Sequence, residues 1–162
     1  MMARQTGRTE MVVVAGVDDS PVSRVVVARA MDEASWRRAE LHLVHVAHIP
    51  LVYTEVPIDW TAVADAQRRE VWERLEPIVA DSAVTIRRVD LEGYAPDVLV
   101  GYATEQQASL LVVGTRGRGE LAALILGSTS HRAIHLADCD VLVVKASTEN
   151  EHQLGGEGSH DE

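Results

Sequence analysis

The 162-residue chain is predicted to fold as one α/β domain, with a doubly wound, five-stranded parallel sheet flanked by helices in a Rossmann-like arrangement. Two observations predict this fold class. Short apolar runs recur along the chain and are continuous rather than alternating, which is typical of strands that helices cover on both faces. Stretches with helical spacing of apolar residues separate these runs, so parallel strands joined by right-handed crossovers are expected. Ligands of such sheets bind beyond the carboxyl ends of the strands, where the winding reverses.

The first strand and helix are predicted near the amino end of the sequence. The continuous apolar run Met11–Val17 indicates a buried strand. A polar turn ends it, and a helix is expected from about Pro21 to about Arg38, because proline suits the first helical turn. Ser20 is the predicted cap of that helix, which would leave Asp18 free for a ligand or for a metal held by phosphates.

The second and third strands enclose a longer helix. The second strand is predicted at Leu41–Ala47, and an irregular stretch to about Pro57 follows it. The next helix carries apolar residues at helical spacing, namely Val63, Val71, Leu75 and Ile78. Pro77, near the end of this pattern, is expected to kink or terminate the helix. The polar alternation of Val84–Leu91 predicts a third strand at an edge of the sheet.

The second half of the chain repeats the alternation. A glycine is predicted to interrupt the regular structure before Pro96, and Pro96 is predicted to begin a third helix. The fully apolar run Leu110–Val113 predicts a fourth strand. A helix from Gly127 to about Leu136 and a fifth strand over Val141–Val144 complete the predicted sheet.

A glycine-rich segment after the fourth strand carries the clearest chemical signal. Gly114 and Gly117 are separated by two residues, and nine further residues precede Gly127 and Ser128 at the predicted start of the last helix. Backbone amides can approach a phosphate closely where no Cβ intervenes. A helix N-terminus adds free amides and the positive end of its dipole. The segment therefore predicts a phosphate cradle in two halves.

The residues of this segment exclude two better-known phosphate-binding motifs. The glycines Gly114 and Gly119 have the spacing of a Walker loop, but Glu120 and Leu121 stand where lysine and a hydroxyl residue are required. The order G-x-x-G-x-G also differs from the G-x-G-x-x-G of dinucleotide binders, and it follows the fourth strand rather than the first. A P-loop enzyme and a nicotinamide or flavin enzyme are both disfavoured.

The glycine pattern resembles that of the nucleotide-binding branch of the universal stress protein family, in which G-x2-G-x9-G precedes Ser or Thr. The resemblance extends to Gly16–Ser20 after the first strand, to Leu43–Val46 in the second and to Cys139–Lys145 at the end, and it spans about residues 11 to 146. It implies a fold like that of the adenine nucleotide alpha hydrolases and ATP as the ligand. It also implies room for Mg²⁺ or Mn²⁺ between Asp18 and the phosphates.

The resemblance also implies which residues hold the nucleotide. Val46 and the backbone of Gly16 and Val17 would meet the adenine, and Asp18 would lie beside the ribose and phosphates. Two segments would wrap the ribose and triphosphate: Gly114, Thr115, Arg116, Gly117 and Arg118, and then Gly127, Ser128, Thr129 and Ser130. Family members commonly form a homodimer across the last strand, here Val141, Leu142, Val143 and Val144. Asp140 stands where the family commonly has proline, and a charge there can oppose edge pairing.

Other reactive side chains have plainer interpretations. His131 and His135 lie at i and i+4 on a predicted helix, a spacing that can hold zinc, but no glutamate follows His131 as H-E-x-x-H requires. A structural or solvent-facing pair is favoured. His42 and His45, three apart on a strand, are expected on opposite faces. Cys139 is interpreted as a small packed hydrophobe. The tryptophans are interpreted as packing residues: Trp36, Trp60 and Trp72.

Charge and composition limit the binding partners and the cell compartment that are expected for this chain. The 25 acidic and 15 basic residues give a formal charge of -10, which disfavours nucleic acid. Half of that excess lies in residues 147–162, predicted to be an acidic disordered tail after a nucleotide-binding domain over 11–146; residues 1–10 are predicted as a flexible N-terminus. A single cysteine indicates a reducing compartment, hence the cytoplasm, and no apolar run approaches the ~20 residues of a membrane span.

Three functions stay open at this point. The favoured one is an ATP-binding regulatory module of the stress response, acting as a homodimer or through a protein partner, because the cradle offers no obvious catalytic base. No catalytic residue is assigned. The second is a slow ATPase or a protein that phosphorylates itself on Ser128 or Thr129, since phosphoryl transfer depends mainly on positioning and charge neutralisation. The third is a cyclic-nucleotide-binding or pure interaction module.

Overall fold

A computed structural model of the chain describes residues 11–47, 58–115 and 126–145. Within these residues five strands and four helices alternate along the chain. The strands are β1 (Val12–Val17), β2 (Glu40–Ala47), β3 (Ile86–Glu92), β4 (Leu110–Gly114) and β5 (Asp140–Val144). The helices are α1 (Val22–Arg37), α2 (Trp60–Val79), α3 (Ala95–Glu105) and α4 (Ser128–Leu136).

The strands form one parallel sheet in the order β3-β2-β1-β4-β5. The chain winds outward from β1 to β3, returns to place β4 on the other side of β1, and ends at β5. The winding therefore reverses between β1 and β4. The predicted doubly wound α/β fold in a single domain is confirmed, and the predicted edge position of β3 is confirmed as well.

Two layers of helices cover the sheet. Helices α1 and α2 pack on one face, where Leu41, Val71 and Leu75 are almost fully buried. Helices α3 and α4 cover the other face, around Leu99 and Leu111. Full burial of a side chain of this size stabilises the fold by about 1.5–3 kcal/mol. These two apolar layers explain why the continuous strand runs could be recognised in the sequence.

The element boundaries follow the predictions with one local shift. β3 begins at Ile86, two residues later than predicted, because the hydroxyl of Ser82 accepts a hydrogen bond from the amide of Val84 at 3.1 Å and holds that residue in a turn. Pro77 lies in the last turn of α2, which ends two residues later.

The aromatic and histidine side chains separate into buried and exposed groups. The expectation that Trp36 packs is wrong: it lies near the end of α1 and is 72% exposed. His42 and His45 are both buried and lie on opposite faces of the sheet, as expected. His42 contacts Tyr102 of α3, whereas His45 contacts Trp72 of α2. Trp72 also donates to the carboxylate of Asp90 at 3.0 Å.

Several predictions fall outside the described residues. These are the N-terminal segment 1–10, the irregular stretch that ends at about Pro57, the middle of the glycine loop, and the tail over 147–162. The division of the chain at residues 10 and 146 stays a prediction. In the described part of the chain, no helix is long and apolar enough to cross a membrane.

Candidate functional site

A cleft opens at the carboxyl ends of β1 and β4, where the winding reverses. It encloses about 530 Å³ of empty space, part of it open to solvent. The strand ends supply Gly16, Val17, Asp18, Val44, Val46, Val113 and Gly114 to its lining, and the helices supply Val22, Ser23, Val26, Ala95, Leu99 and Thr129. This is the place that the fold class predicts for a ligand.

The floor of the cleft depends on a close approach between β1 and α3. A Cβ atom at Gly16 would lie 2.5 Å from Cδ2 of Leu99, a distance that real side chains do not occupy. The glycine therefore lets Leu99 pack directly against the strand. Branched apolar side chains around this contact give the cleft an apolar inner wall, as binding sites for flat aromatic groups require.

The loop after β1 forms a polar wall whose groups bond to one another. Oδ1 of Asp18 accepts from the amide of Ser20 at 3.0 Å, from the Ser20 hydroxyl, and from the Ser23 hydroxyl at 2.7 Å. The amide of Asp18 donates in turn to Oγ of Ser23 at 2.8 Å. Oδ1 of Asp18 is therefore occupied by three donors.

Two predictions for this loop are wrong. Ser20 does not cap α1, which has no side-chain cap, because its hydroxyl donates to Asp18 instead. Asp18 is not left free, since its carboxylate closes an Asx turn to the residue two places on. A carboxylate is a stronger acceptor than a hydroxyl, so it takes the local donors first.

The N-terminus of α4 forms a second polar wall. Gly127 precedes the helix in an extended conformation, and no side chain caps it. The first three amides of a helix have no intrahelical acceptor, and in α4 these belong to Ser128, Thr129 and Ser130. The first intrahelical bond runs from the amide of His131 to the carbonyl of Gly127, at 2.9 Å.

The amide of Gly127 itself is already engaged. It donates to the carbonyl of Thr115 at 2.7 Å, and the amide of Thr115 donates to the carbonyl of Val144 at 2.8 Å. The Ser130 hydroxyl donates to the carbonyls of Gly127 at 3.1 Å and Thr115 at 3.4 Å. The expectation of a free amide at Gly127 is therefore wrong. These bonds instead fasten the start of α4 to the end of β4.

The structure brings most of the predicted site residues to one place. Six line the cleft: Gly16, Val17, Asp18, Val46, Gly114 and Thr129. Four support its α4 side without lining it: Thr115, Gly127, Ser128 and Ser130. Three lie outside the described residues: Arg116, Gly117 and Arg118.

Sequence reasoning missed the apolar wall and one polar residue. The missed lining residues are Val22, Ser23, Val26, Val44, Ala95, Leu99 and Val113. The apolar ones have the spacing of core residues, so the sequence does not distinguish them from the interior. A glycine inside the apolar run of β1 was the available signal, since it indicates a close approach of another element.

The described lining holds one ionisable group, Asp18. Arg132 of α4 forms an ion pair with Asp97, with Nε 2.6 Å from Oδ1. The described residues contain no cluster of three His, Cys, Asp or Glu side chains that could hold a metal. A cation here would therefore need ligands from a bound phosphate besides one carboxylate, which is the way Mg²⁺ accompanies nucleotides. An apolar inner wall, one carboxylate and a helix N-terminus together fit a nucleotide.

Comparison with known proteins gives consistent matches over nearly the whole chain. The sequence model of the universal stress protein family matches residues 11–145. A universal stress protein of Mycobacterium tuberculosis is 36% identical over 142 residues, which cover 83% of this chain and 45% of that protein. One from Methanocaldococcus jannaschii is 31% identical over 137 residues, covering 82% of this chain and 81% of its own length. The chain thus spans about half the length of the mycobacterial relative.

A solved structure extends the similarity to three dimensions. The crystal structure of a universal stress protein in complex with cAMP is 30% identical to this chain, with a TM-score of 0.61. The match covers 85% of this chain and 98% of that one.

Proposed function

Because the chain belongs to the universal stress protein family, we propose that it is an adenine-nucleotide-binding regulatory module whose ligand is ATP. The observation that carries this proposal is the cleft at the switch point, which joins an apolar inner wall to a carboxylate and an uncapped helix N-terminus. The relative that was solved with cAMP supports the adenine assignment.

Each part of the cleft has a part of the nucleotide to hold. The adenine lies on the apolar wall, against Val46 and the backbone of Gly16 and Val17. The ribose lies beside Asp18. The triphosphate extends along Gly114 toward the amides of residues 128–130, because a helix N-terminus attracts anions through its free amides and its dipole. In this proposal, Thr115, Arg116, Gly117 and Arg118 contact the ribose and triphosphate together with Gly114.

Mg²⁺ or Mn²⁺ accompanies the nucleotide in this proposal. We propose the second carboxylate oxygen of Asp18 as its protein ligand, because the hydrogen bonds described above engage only Oδ1. A single carboxylate together with phosphate oxygens and waters suits Mg²⁺, which retains several of its waters.

A regulatory module also needs a way to transmit its state. β5 is one of the two edge strands of the described sheet, and its residues 141–143 are partly exposed. We assign the homodimer to this edge. Asp140 is exposed at its start and lies 4.0 Å from Nη2 of Arg37, which offsets part of the charge that would oppose pairing. The lone Cys139 suits the reducing cytoplasm, where we place the protein.

Slow ATP turnover is the second candidate. The Thr129 side chain lines the cleft and supplies a hydroxyl that a phosphoryl group could reach. The one carboxylate on the described lining holds the loop through Oδ1 and is proposed to hold the metal through its other oxygen, so the described lining has no second carboxylate to activate water. Binding without efficient hydrolysis is therefore the favoured reading.

Calorimetric titration of the full chain with ATP, AMP, cAMP and NAD tests the proposal. We expect saturable ATP binding below millimolar concentration, with NAD bound more weakly because the dinucleotide glycine pattern is absent. If no adenine nucleotide binds below millimolar concentration, the proposed function fails. Radiolabelled phosphate released or transferred from ATP, and lost in Thr129→Ala, would favour the second candidate.

A further inference from the structure

The outer side of α4 carries two histidines that the proposed nucleotide site does not use. His131 and His135 lie one helical turn apart, and both are exposed. Their ring centroids are 4.5 Å apart, with the ring planes at 54°. At this separation, one nitrogen of each ring can reach a single ion in the solvent beside α4.

The spacing matches that of two imidazoles on one metal ion. With metal–nitrogen bonds of about 2.0–2.1 Å, ring centres bound at a right angle to one ion stand about 4.5 Å apart. Right angles are typical of tetragonal Cu²⁺ and Ni²⁺, whereas tetrahedral Zn²⁺ requires a slightly wider opening. Imidazole is a suitable ligand for all three ions. Mg²⁺ and Ca²⁺ prefer oxygen ligands such as carboxylates and are not expected here.

The surrounding charges do not block such an ion. Arg132, between the two histidines in sequence, is turned to Asp97 and pairs with it at 2.6 Å. His135 lies in the last turn of α4, where the negative end of the helix dipole favours a cation.

We propose that His131 and His135 form a two-histidine chelating site for a divalent transition-metal ion of the Cu²⁺, Ni²⁺ and Zn²⁺ class. Waters complete the coordination, since the described residues supply no third ligand of this kind. The ion bridges one turn of α4, a nine-residue helix in which Ser130 and Ala133 are the buried residues. Because so little of α4 is buried, the bridge would contribute a relatively large part of its stability.

The test is calorimetric titration of the full chain with NiCl₂. We expect one ion per chain, and at least about tenfold weaker binding in His131→Ala and in His135→Ala, because each variant loses the chelate. The matched control is the double variant His135→Ala/Leu136→His. It keeps the number of histidines but places the second imidazole about 140° around the helix from His131 instead of about 40°, at 3.6 residues per turn. It should bind as weakly as the single variants.

Nickel binding that is unchanged in these three variants would overturn the proposal, because the ion would then be held elsewhere on the chain. A second measurement does not depend on how the variants fold. Substoichiometric Ni²⁺ should broaden the ring signals of His131 and His135 in NMR spectra of the unaltered chain before those of any other histidine. Equal broadening of all histidines would also contradict the site. Neither result depends on whether the cleft binds ATP.

Discussion

The two polar walls of the cleft differ in the partners that their hydrogen-bonding groups have. After β1, the carboxylate of Asp18 and the hydroxyls of Ser20 and Ser23 bond to one another. At the start of α4, the amides of residues 128–130 have no intrahelical acceptor and no capping side chain. We call the first wall closed because its groups bond to one another, and the second open because no side chain among the described residues caps its amides.

This difference separates a structural role from a binding role. Hydrogen bonds to a charged group contribute about 1.5–3 kcal/mol to stability, so the closed wall mainly holds the turn between β1 and α1 in shape. Amides without an acceptor contribute nothing to stability until one arrives, so in the proposed function the α4 wall mainly supplies affinity. Substitutions in the two walls should therefore affect different measurements.

The largest effect is expected at the open wall. Thr129→Glu places a carboxylate where the phosphates are proposed to lie, and we expect ATP to bind at least about 100-fold more weakly, a loss of about 2.7 kcal/mol. The free energy of unfolding should not fall, because an acidic residue in the first turn of a helix is favourable. Calorimetry and urea unfolding measure the two quantities separately.

Thr129→Gln is the control for this substitution. It has nearly the same size as the glutamate variant but no charge, so it should retain most of the affinity. Equal losses in the two variants would show that bulk rather than charge blocks the cleft, and the phosphate assignment would be wrong.

The next effect is expected at the closed wall, and in stability. Ser23→Ala removes a donor to Oδ1 of Asp18 and also the acceptor of the Asp18 amide, at a position that is 3% exposed. We expect a loss of about 1–3 kcal/mol in the free energy of unfolding. Ser20→Ala removes one hydroxyl donor and leaves the backbone bond in place, so its loss should be smaller. A larger loss in Ser20→Ala, measured by urea unfolding, would contradict this description of the wall.

A smaller effect tests whether the closed wall also holds a metal. Asp18→Asn should weaken binding of ATP with Mg²⁺ by about tenfold, because the ion loses its protein carboxylate. In EDTA the same variant should bind ATP as tightly as the unaltered chain or more tightly, since a negative charge beside the phosphates is removed. Equal weakening with and without Mg²⁺ would exclude Asp18 as a metal ligand.

The sequence predicted the framework of the two walls better than their hydrogen bonds. Continuous apolar runs identified four of the strands and polar alternation identified β3, and the order of glycines and hydroxyl residues located the start of α4 at Gly127 and Ser128. Both predictions depend on the spacing of residues that are close together in the sequence, and this spacing is kept in the folded structure.

The features that could not be predicted depend on competition between hydrogen-bonding groups and on contacts between residues that are distant in the sequence. Ser20 and Asp18 both have capping chemistry, and the charged acceptor takes the donors once the turn brings Ser23 within 2.7 Å of it. The hydrogen bond from the amide of Gly127 to the carbonyl of Thr115 joins residues that are distant in the sequence, so local spacing does not reveal it. The position of Trp36 in the sequence does not assign it to the buried or the exposed face of α1, so its exposure to solvent could not be predicted.

Mapping ATP binding by backbone amide NMR tests the central claim most directly. On titration of the full chain, we predict the largest shifts at Gly16, Asp18 and Gly114 and at the three amides of residues 128–130. Residues 34–40, at the opposite end of the sheet, should stay unchanged. Shifts that gather at that opposite end, or no shifts at millimolar ATP, would contradict a nucleotide site at the switch point.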